Sequence, residues 1–216
     1  MRDLKHLYYF EKLLDDANNE LVRQAKADGR LALGYTCYHM PEVLLNLEGC
    51  FSVRLRAPRT GSMEVATYYM SNATCEYARA LLERGLEGGY KFLDAMAGVD
   101  VCECMNRSTE NMELLGVSDP DKKNFFWCNL DSPCSDNEDC VEHLREQLSR
   151  KILKPLREDF GIDTSDQAIR DAVARHNEVC RLITEIGNYR KLDNPTITGY
   201  EFHVLTLATY VCPKDL

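Results

Sequence analysis

No stretch of this chain approaches the roughly 20 consecutive apolar residues that a bilayer-crossing helix needs. Its start, Met1-Arg2-Asp3-Leu4-Lys5-His6-Leu7, carries charges where a secretion signal has its apolar stretch. No membrane is expected among its partners, and the protein is expected to be cytoplasmic. There is no block of Lys or Arg either: 26 basic residues face 35 acidic ones for a formal net charge of -9, so nucleic acid is excluded for want of an electrostatic footprint. Glycine (12) and proline (7) are few, and no internal repeat or Gly/Ser/Pro-rich linker occurs, which removes the collagen-like, low-complexity and disordered classes. What remains is 216 residues, 44% hydrophobic and 28% charged, enough for one packed domain with a helical appendage but not for two full α/β domains.

Cysteine is the residue present in excess, with ten copies. In a reducing compartment a disulfide framework is disfavoured, and the thiols are either inert core residues or soft ligands for zinc or iron. The spacing offers one C-x-C (Cys102, Cys104) and one C-x5-C (Cys134, Cys140) but no C-x-x-C pair, so no compact zinc module is encoded. Any metal ligands must be gathered by the fold.

The hydrophobic pattern predicts an amphipathic helix over residues 3–28, a buried strand over Leu31–Cys37, and a helix opened by Pro41 and closed by Gly49. A half-exposed edge strand follows, with Phe51, Val53 and Leu55 alternating with Ser52, Arg54 and Arg56. Asn72 is placed to cap a helix burying Ala78, Leu81, Leu82, Gly85 and Leu86, with Cys75 in its first turn. A third strand is expected over Val99–Cys104, a helix capped by Ser108, and a fourth strand at Phe125–Trp127 that stops at Asp131-Ser132-Pro133. Beyond residue 135 strand signals vanish, and three capping boxes succeed one another: Ser135 with Glu138, Thr164 with Gln167, Thr198 with Glu201. Pro155 should kink one of these helices, and Ile169, Ala172, Val173, His176, Cys180, Ile183 and Ile186 trace one face of the longest. The expected fold is α/β: a four-stranded parallel, Rossmann-like sheet flanked by helices, with an N-terminal helix (1–30), a cysteine-rich α/β domain (31–134) and a C-terminal helical segment (135–216).

Ligands of open parallel sheets bind outside the carboxyl ends of the strands. The pattern puts Cys37 at the end of the first strand, Cys102 and Cys104 at the end of the third, and Cys128 and Cys134 on either side of the end of the fourth. Cys75, in a helix first turn, gains from unpaired N–H groups and the helix dipole. Any one of these alone reads better as packing; together they read as a metal-binding rim. Cys50, Cys180 and Cys212 read as structural, and Cys140 stays open. His176 reads as a core or interface residue, and His143 and His203 as helix-surface residues. His39, in the loop after Cys37, either faces a ligand or caps toward solvent. Glu42 is accounted for by the helix dipole alone, and Tyr35, Tyr38, Tyr68 and Tyr69 read as core.

Several segments carry a resemblance. Gly34-Tyr35-Thr36-Cys37-Tyr38-His39-Met40-Pro41-Glu42 resembles the N-terminal signature of the 2-hydroxyacyl-CoA dehydratase and benzoyl-CoA reductase superfamily. Cys75-Glu76-Tyr77-Ala78-Arg79 resembles its second cysteine motif and Cys102-Glu103-Cys104-Met105-Asn106-Arg107 its third, while Arg175–Arg181 and Ile197–Gly199 resemble its middle region. The resemblance implies a subunit of two α/β domains holding an oxygen-sensitive iron–sulfur cluster (4Fe-4S, or a double cubane). On that basis the present chain supplies the first half, and its helical segment leads to a second α/β domain that is absent. It implies Cys75 and Cys102 as leading cluster ligands, with Cys104 as the alternate within its motif and Cys37 as a further ligand, and His39 and Glu42 on the substrate-facing wall.

The implied activity is radical dehydration of a 2-hydroxyacyl-CoA thioester, with a second subunit or C-terminal half and an ATP-dependent iron–sulfur activator as partners. Many dehydratase subunits carry a serine-like residue where this chain has Cys37. Cysteine there resembles the double-cubane branch, which implies a benzoyl-CoA reductase-like oxidoreductase acting on small molecules. Two other readings stay open: a non-catalytic cluster-binding or assembly half, and a zinc-stabilised protein.

Overall fold

The computed structural model describes residues 4–58 and 60–216. The N-terminal stretch holds two helices, α1 (Lys5–Leu13) and α2 (Glu20–Ala27), where one was expected over 3–28; residues 1–3 lie outside the described residues. The break has a local cause. Asp16 Oδ1 accepts from the Asn18 amide, and Asn19 Oδ1 accepts from the amides of Leu21 and Val22, so side chains that compete for backbone donors end one helix and cap the next.

Strand β1 (Leu31–Tyr35) and strand β2 (Cys50–Arg54) are joined through a single 3-10 turn, Glu42–Leu45, in place of the helix expected up to Gly49. Asn46 stops the turn. Its Nδ2 donates to Glu42 O (2.8 Å) and Ser52 Oγ (2.9 Å), and its Oδ1 accepts from the Ser52 amide (3.0 Å), tying the turn to the next strand.

Helices α3 (Glu64–Tyr69) and α4 (Glu76–Leu86) lead to strand β3 (Ala95–Asp100), helix α5 (Glu103–Leu114) and strand β4 (Phe126–Asp131). Helix α4 buries Ala78, Leu81, Leu82 and Gly85 as its spacing predicts. Its N-cap is Cys75, because the expected cap, Asn72, accepts instead from Arg79 (3.0 Å). Strand β3 begins four residues before the expected Val99, and α5 starts well before Ser108, which is buried inside the helix and donates to Ala78 O (2.7 Å).

In the C-terminal segment α6 (Glu138–Leu148) runs through π-helical turns at Ser149–Leu153 into α7 (Lys154–Phe160). Pro155 lacks an N–H and its ring crowds the carbonyl four residues back, so the expected disturbance takes the form of a widened turn. Gly161, at φ 69°, closes α7 in the left-handed conformation that glycine adopts without penalty. Helix α8 (Asp166–Asn188) and helix α9 (Gly199–Val211) follow. Only the third capping box forms as expected, between Thr198 and Glu201; the other caps are Asn137 for α6 and Ser165 for α8.

The four strands form one all-parallel sheet in the order β2-β1-β3-β4, an α/β arrangement. Edge strand β2 is not half exposed: Cys50, Phe51, Ser52 and Val53 are all buried, and α9 packs against it. One core lies on one face of the sheet (Val22, Ala25, Phe51, Leu81, Leu82, Met96, Met112), and a second on the other (Leu33, Leu45, Leu47, Ala97, Ile152, Leu156, Ala172). Gly34 in β1 is required by close approach, since a Cβ there would lie 2.6 Å from Leu93 Cδ1. Buried Asp94 locks the entry to β3: it accepts from the Ala32 amide (2.8 Å), Lys122 (2.9 Å) and Lys26. No helix among the described residues is long and apolar enough to cross a membrane.

Candidate functional site

Strand β1 lies between β2 and β3, so the chain leaves it toward one side of the sheet and later returns on the other. Beyond the carboxyl ends of β1 and β3 is therefore the switch point at which parallel sheets open a crevice. Cys37 comes two residues after β1 and is half-buried. Cys102 comes two residues after β3, as the N-cap of α5, with half-buried Cys104 in the first turn of that helix. These two cysteines thus sit on a helix start and not at the end of a strand, because β3 ends at Asp100.

Cys75 caps α4, which packs along α5: Ser108, midway along α5, donates to Ala78 O in the first turn of α4. Tyr77, in the first turn of α4, donates to Leu55 O (2.8 Å), and its phenol is pushed up chiefly by burial, with the Cys37 thiol near enough to add to the effect. Three separate stretches thus place thiols just beyond strand ends or at helix starts. Neither Cys75 nor Cys102 uses its side chain to cap its own helix, and both are exposed.

As a donor set these soft sulfurs suit iron–sulfur ligation. They are not drawn together, however: among the described residues no three His, Cys, Asp or Glu side chains are gathered closely enough to hold a metal ion. The other cysteines divide. Cys134 is exposed in the loop beyond β4, whereas Cys128 lies buried within β4 and not at its end, and burial pushes its thiol up to about 12. Cys50 and Cys212 are buried, as the structural reading expects, while Cys180 is exposed on α8.

Glu42 opens the 3-10 turn, and more than a dipole holds it. Tyr35 Oη donates to its Oε2 (2.6 Å) and Lys214 Nζ to its Oε1 (2.6 Å), with His176 Nδ1 3.6 Å from Oε1. Burial and the adjacent carboxylate push the Tyr35 phenol far up, so it remains a hydrogen-bond donor. Arg54, at the end of β2, stacks on Tyr38 (3.7 Å to the ring centroid) and lies 5.9 Å from the ring of Tyr210, and these two rings meet edge to face. Tyr38, Tyr68 and Tyr69 are exposed and not core, unlike Tyr35. His39 is exposed in the turn before Pro41, outside the Glu42 cluster.

Lys214, Arg54 and Tyr210 carry no motif that marks them in the sequence. Lys214 reaches Glu42 across 172 positions, a distance at which neither periodicity nor capping gives a signal.

No curated protein matches the chain. A family model described as 2-hydroxyglutaryl-CoA dehydratase, D-component, matches residues 37–216, a span that begins at Cys37 and includes every cysteine of the rim. By that match the chain belongs to the 2-hydroxyglutaryl-CoA dehydratase D-component family.

Proposed function

We propose that this chain is the iron–sulfur-binding subunit of a cytoplasmic 2-hydroxyacyl-CoA dehydratase-like lyase. It would work with a second subunit or α/β half and with an ATP-hydrolysing iron–sulfur activator. The observation that supports this reading is the placement of cysteines just beyond β1 and β3 and at the N-caps of two packed helices, α4 and α5, in a chain that belongs to the dehydratase family.

Cys37, Cys75 and Cys102, with Cys104 as the alternate to Cys102, would hold the cluster. When bound, it supplies a one-electron donor and a Lewis acid. The chain's own residues do the rest. Cys75 and Cys102, exposed at the N-caps of α4 and α5, keep side chains that no capping bond occupies. Glu42, fixed by Tyr35 and Lys214, keeps a carboxylate on the substrate-facing wall, with His39 in the loop beside it. Arg54, with its guanidinium stacked on Tyr38, offers a preoriented cation to an anionic substrate group.

Cysteine at position 37 favours a second reading, a double-cubane-type reductase of small molecules. Anaerobic iron and sulfide analysis with EPR tests both. Cys75→Ala and Cys102→Ala are expected to lose most of the cluster; full iron content in both variants rejects the ligand assignment. Cys37→Ser is expected to keep its cluster in a dehydratase and to lose part of it in a reductase. A loaded protein that turns over neither acyl-CoA nor small molecules is a non-catalytic half.

A further inference from the structure

The free thiols that burial makes inert are readily identified: Cys50 and Cys128 are pushed up to about 12 and Cys212 to about 11. Cys180 is their opposite. It is exposed on α8, and among the described residues it is the cysteine with an imidazole within reach, His176 Nε2 at 3.5 Å from Sγ, one helical turn back. The other ring nitrogen, His176 Nδ1, is buried and makes no hydrogen bond, yet it lies 3.6 Å from Glu42 Oε1. Glu42 cannot swing away, since Tyr35 and Lys214 hold its two oxygens.

A thiol, an imidazole and an anchored carboxylate in that order are the parts of an activated nucleophile. The carboxylate favours a proton on Nδ1, which leaves the Nε2 lone pair facing the thiol. A separation of 3.6 Å is longer than a hydrogen bond, as such contacts often are before substrate arrives.

The same histidine lines an open groove of about 950 Å³. Val179 and Leu182 of α8 and Leu47 give it apolar walls, and its three Lys and Arg residues are matched by three Asp and Glu residues. Apolar walls of that size suit an acyl chain.

We propose that Cys180 is a nucleophile, with His176 its base and Glu42 the positioning residue for the ring, and that it accepts an acyl group from a thioester. As the bond from Sγ to the acyl carbon forms, the Sγ proton passes to His176 Nε2. The carbon–sulfur bond to the leaving thiol then breaks with its electron pair on sulfur, and Nε2 returns the proton there. No oxidant or reductant is needed. The choice of a thioester as electrophile rests on the dehydratase reading; the activated thiol does not.

The test uses the full chain in two arms, both read by peptide mass spectrometry. With iodoacetamide at neutral pH, Cys180 is expected to react roughly tenfold or more faster than exposed Cys134, a cautious figure for a positioned base. That advantage is expected to vanish in His176→Asn and to shrink in Glu42→Gln, with circular dichroism reporting the fold. Equal rates for Cys180 and Cys134 in the unsubstituted protein, a comparison that needs no variant, overturn the activated nucleophile. With acetyl-CoA, an acetyl group is expected on the Cys180 peptide and none on Cys134. Fast, histidine-dependent alkylation without selective acetylation overturns the acyl-acceptor role. The dehydratase reading stands or falls separately, on the iron content of Cys75→Ala and Cys102→Ala.

Discussion

The sheet and the long helix α8 treat equally periodic apolar residues in opposite ways. In the sheet and its flanking helices, Phe51, Val53, Leu81, Leu82 and Met96 are fully buried. In α8 the face expected to be packed buries Ala172, while Val173 is 39% exposed, Ile183 and Ile186 are half-buried, and Leu182 beside that face is 44% exposed. Periodicity encodes a face, and what covers that face is decided elsewhere. The sheet covers its faces with helices of the same βαβ units. Helix α8 touches the body mainly near the 3-10 turn and at Glu42, and leaves Val179 and Leu182 at the groove.

Paired truncations test this contrast most strongly. Phe51→Ala empties a fully buried site and is expected to cost about 3–5 kcal/mol in urea unfolding. Leu182→Ala, of comparable chemistry, should stay within about 0.5 kcal/mol. A loss above about 2 kcal/mol for Leu182→Ala would mean that its face is covered in solution. Next in size is Asp94→Asn. It removes the charge that Lys26 and Lys122 share beneath the sheet, and because both lysines are partly exposed the expected cost is about 2 kcal/mol, below that of breaking a fully buried pair.

The buried thiols extend the comparison to pH. Cys50 and Cys128 titrate near 12 in the folded chain and near 8.5 when unfolded, so above pH 8.5 the folded state binds more protons than the unfolded one. Their contribution to stability is complete below that pH and is lost as pH rises toward 12. At pH 9.5 the loss is on the order of 1 kcal/mol per thiol. Replacing Cys50 or Cys128 by alanine is expected to flatten the fall of unfolding stability between about pH 8 and 10, and a slope unchanged in both variants would mean that these thiols are not its source.

These regions also differ in how far they can be read from sequence. The parallel sheet, α4 and the Thr198–Glu201 box follow from local signals: alternating or continuous apolar runs, glycine stops and a complete capping pair. The start of β3 is hidden because its first residues, Ala95-Met96-Ala97-Gly98, lack the branched side chains that mark strands. The start of α5 is hidden because Cys102 is not a residue that announces a cap, whereas Ser108 is; the Ser108 hydroxyl instead serves a neighbouring helix. At the site, the cysteines are legible as residue types and by their places after β1 and β3. The Tyr35–Glu42–Lys214 cluster is not, since it joins a strand end, a turn and the chain's last residues, and only tertiary packing brings these together.

The smallest expected effect separates the two regions most finely. Asn19 caps α2, is buried, and also donates to Val211 O (3.2 Å) and to Cys212 Sγ (3.5 Å). Its replacement by alanine removes a cap and leaves a buried carbonyl short of a donor, so the whole chain should lose about 1–2 kcal/mol. Ser165 caps α8 from an exposed position, accepting from the Ala168 amide at 3.3 Å. Ser165→Ala removes a similar bond, yet the helix it starts is weakly tied to the core. The expected result is faster hydrogen exchange over residues 166–168 with almost no change in the urea midpoint. If Ser165→Ala shifts that midpoint as far as Asn19→Ala does, α8 unfolds together with the sheet, and its exposed face must be held by contacts beyond those of this chain.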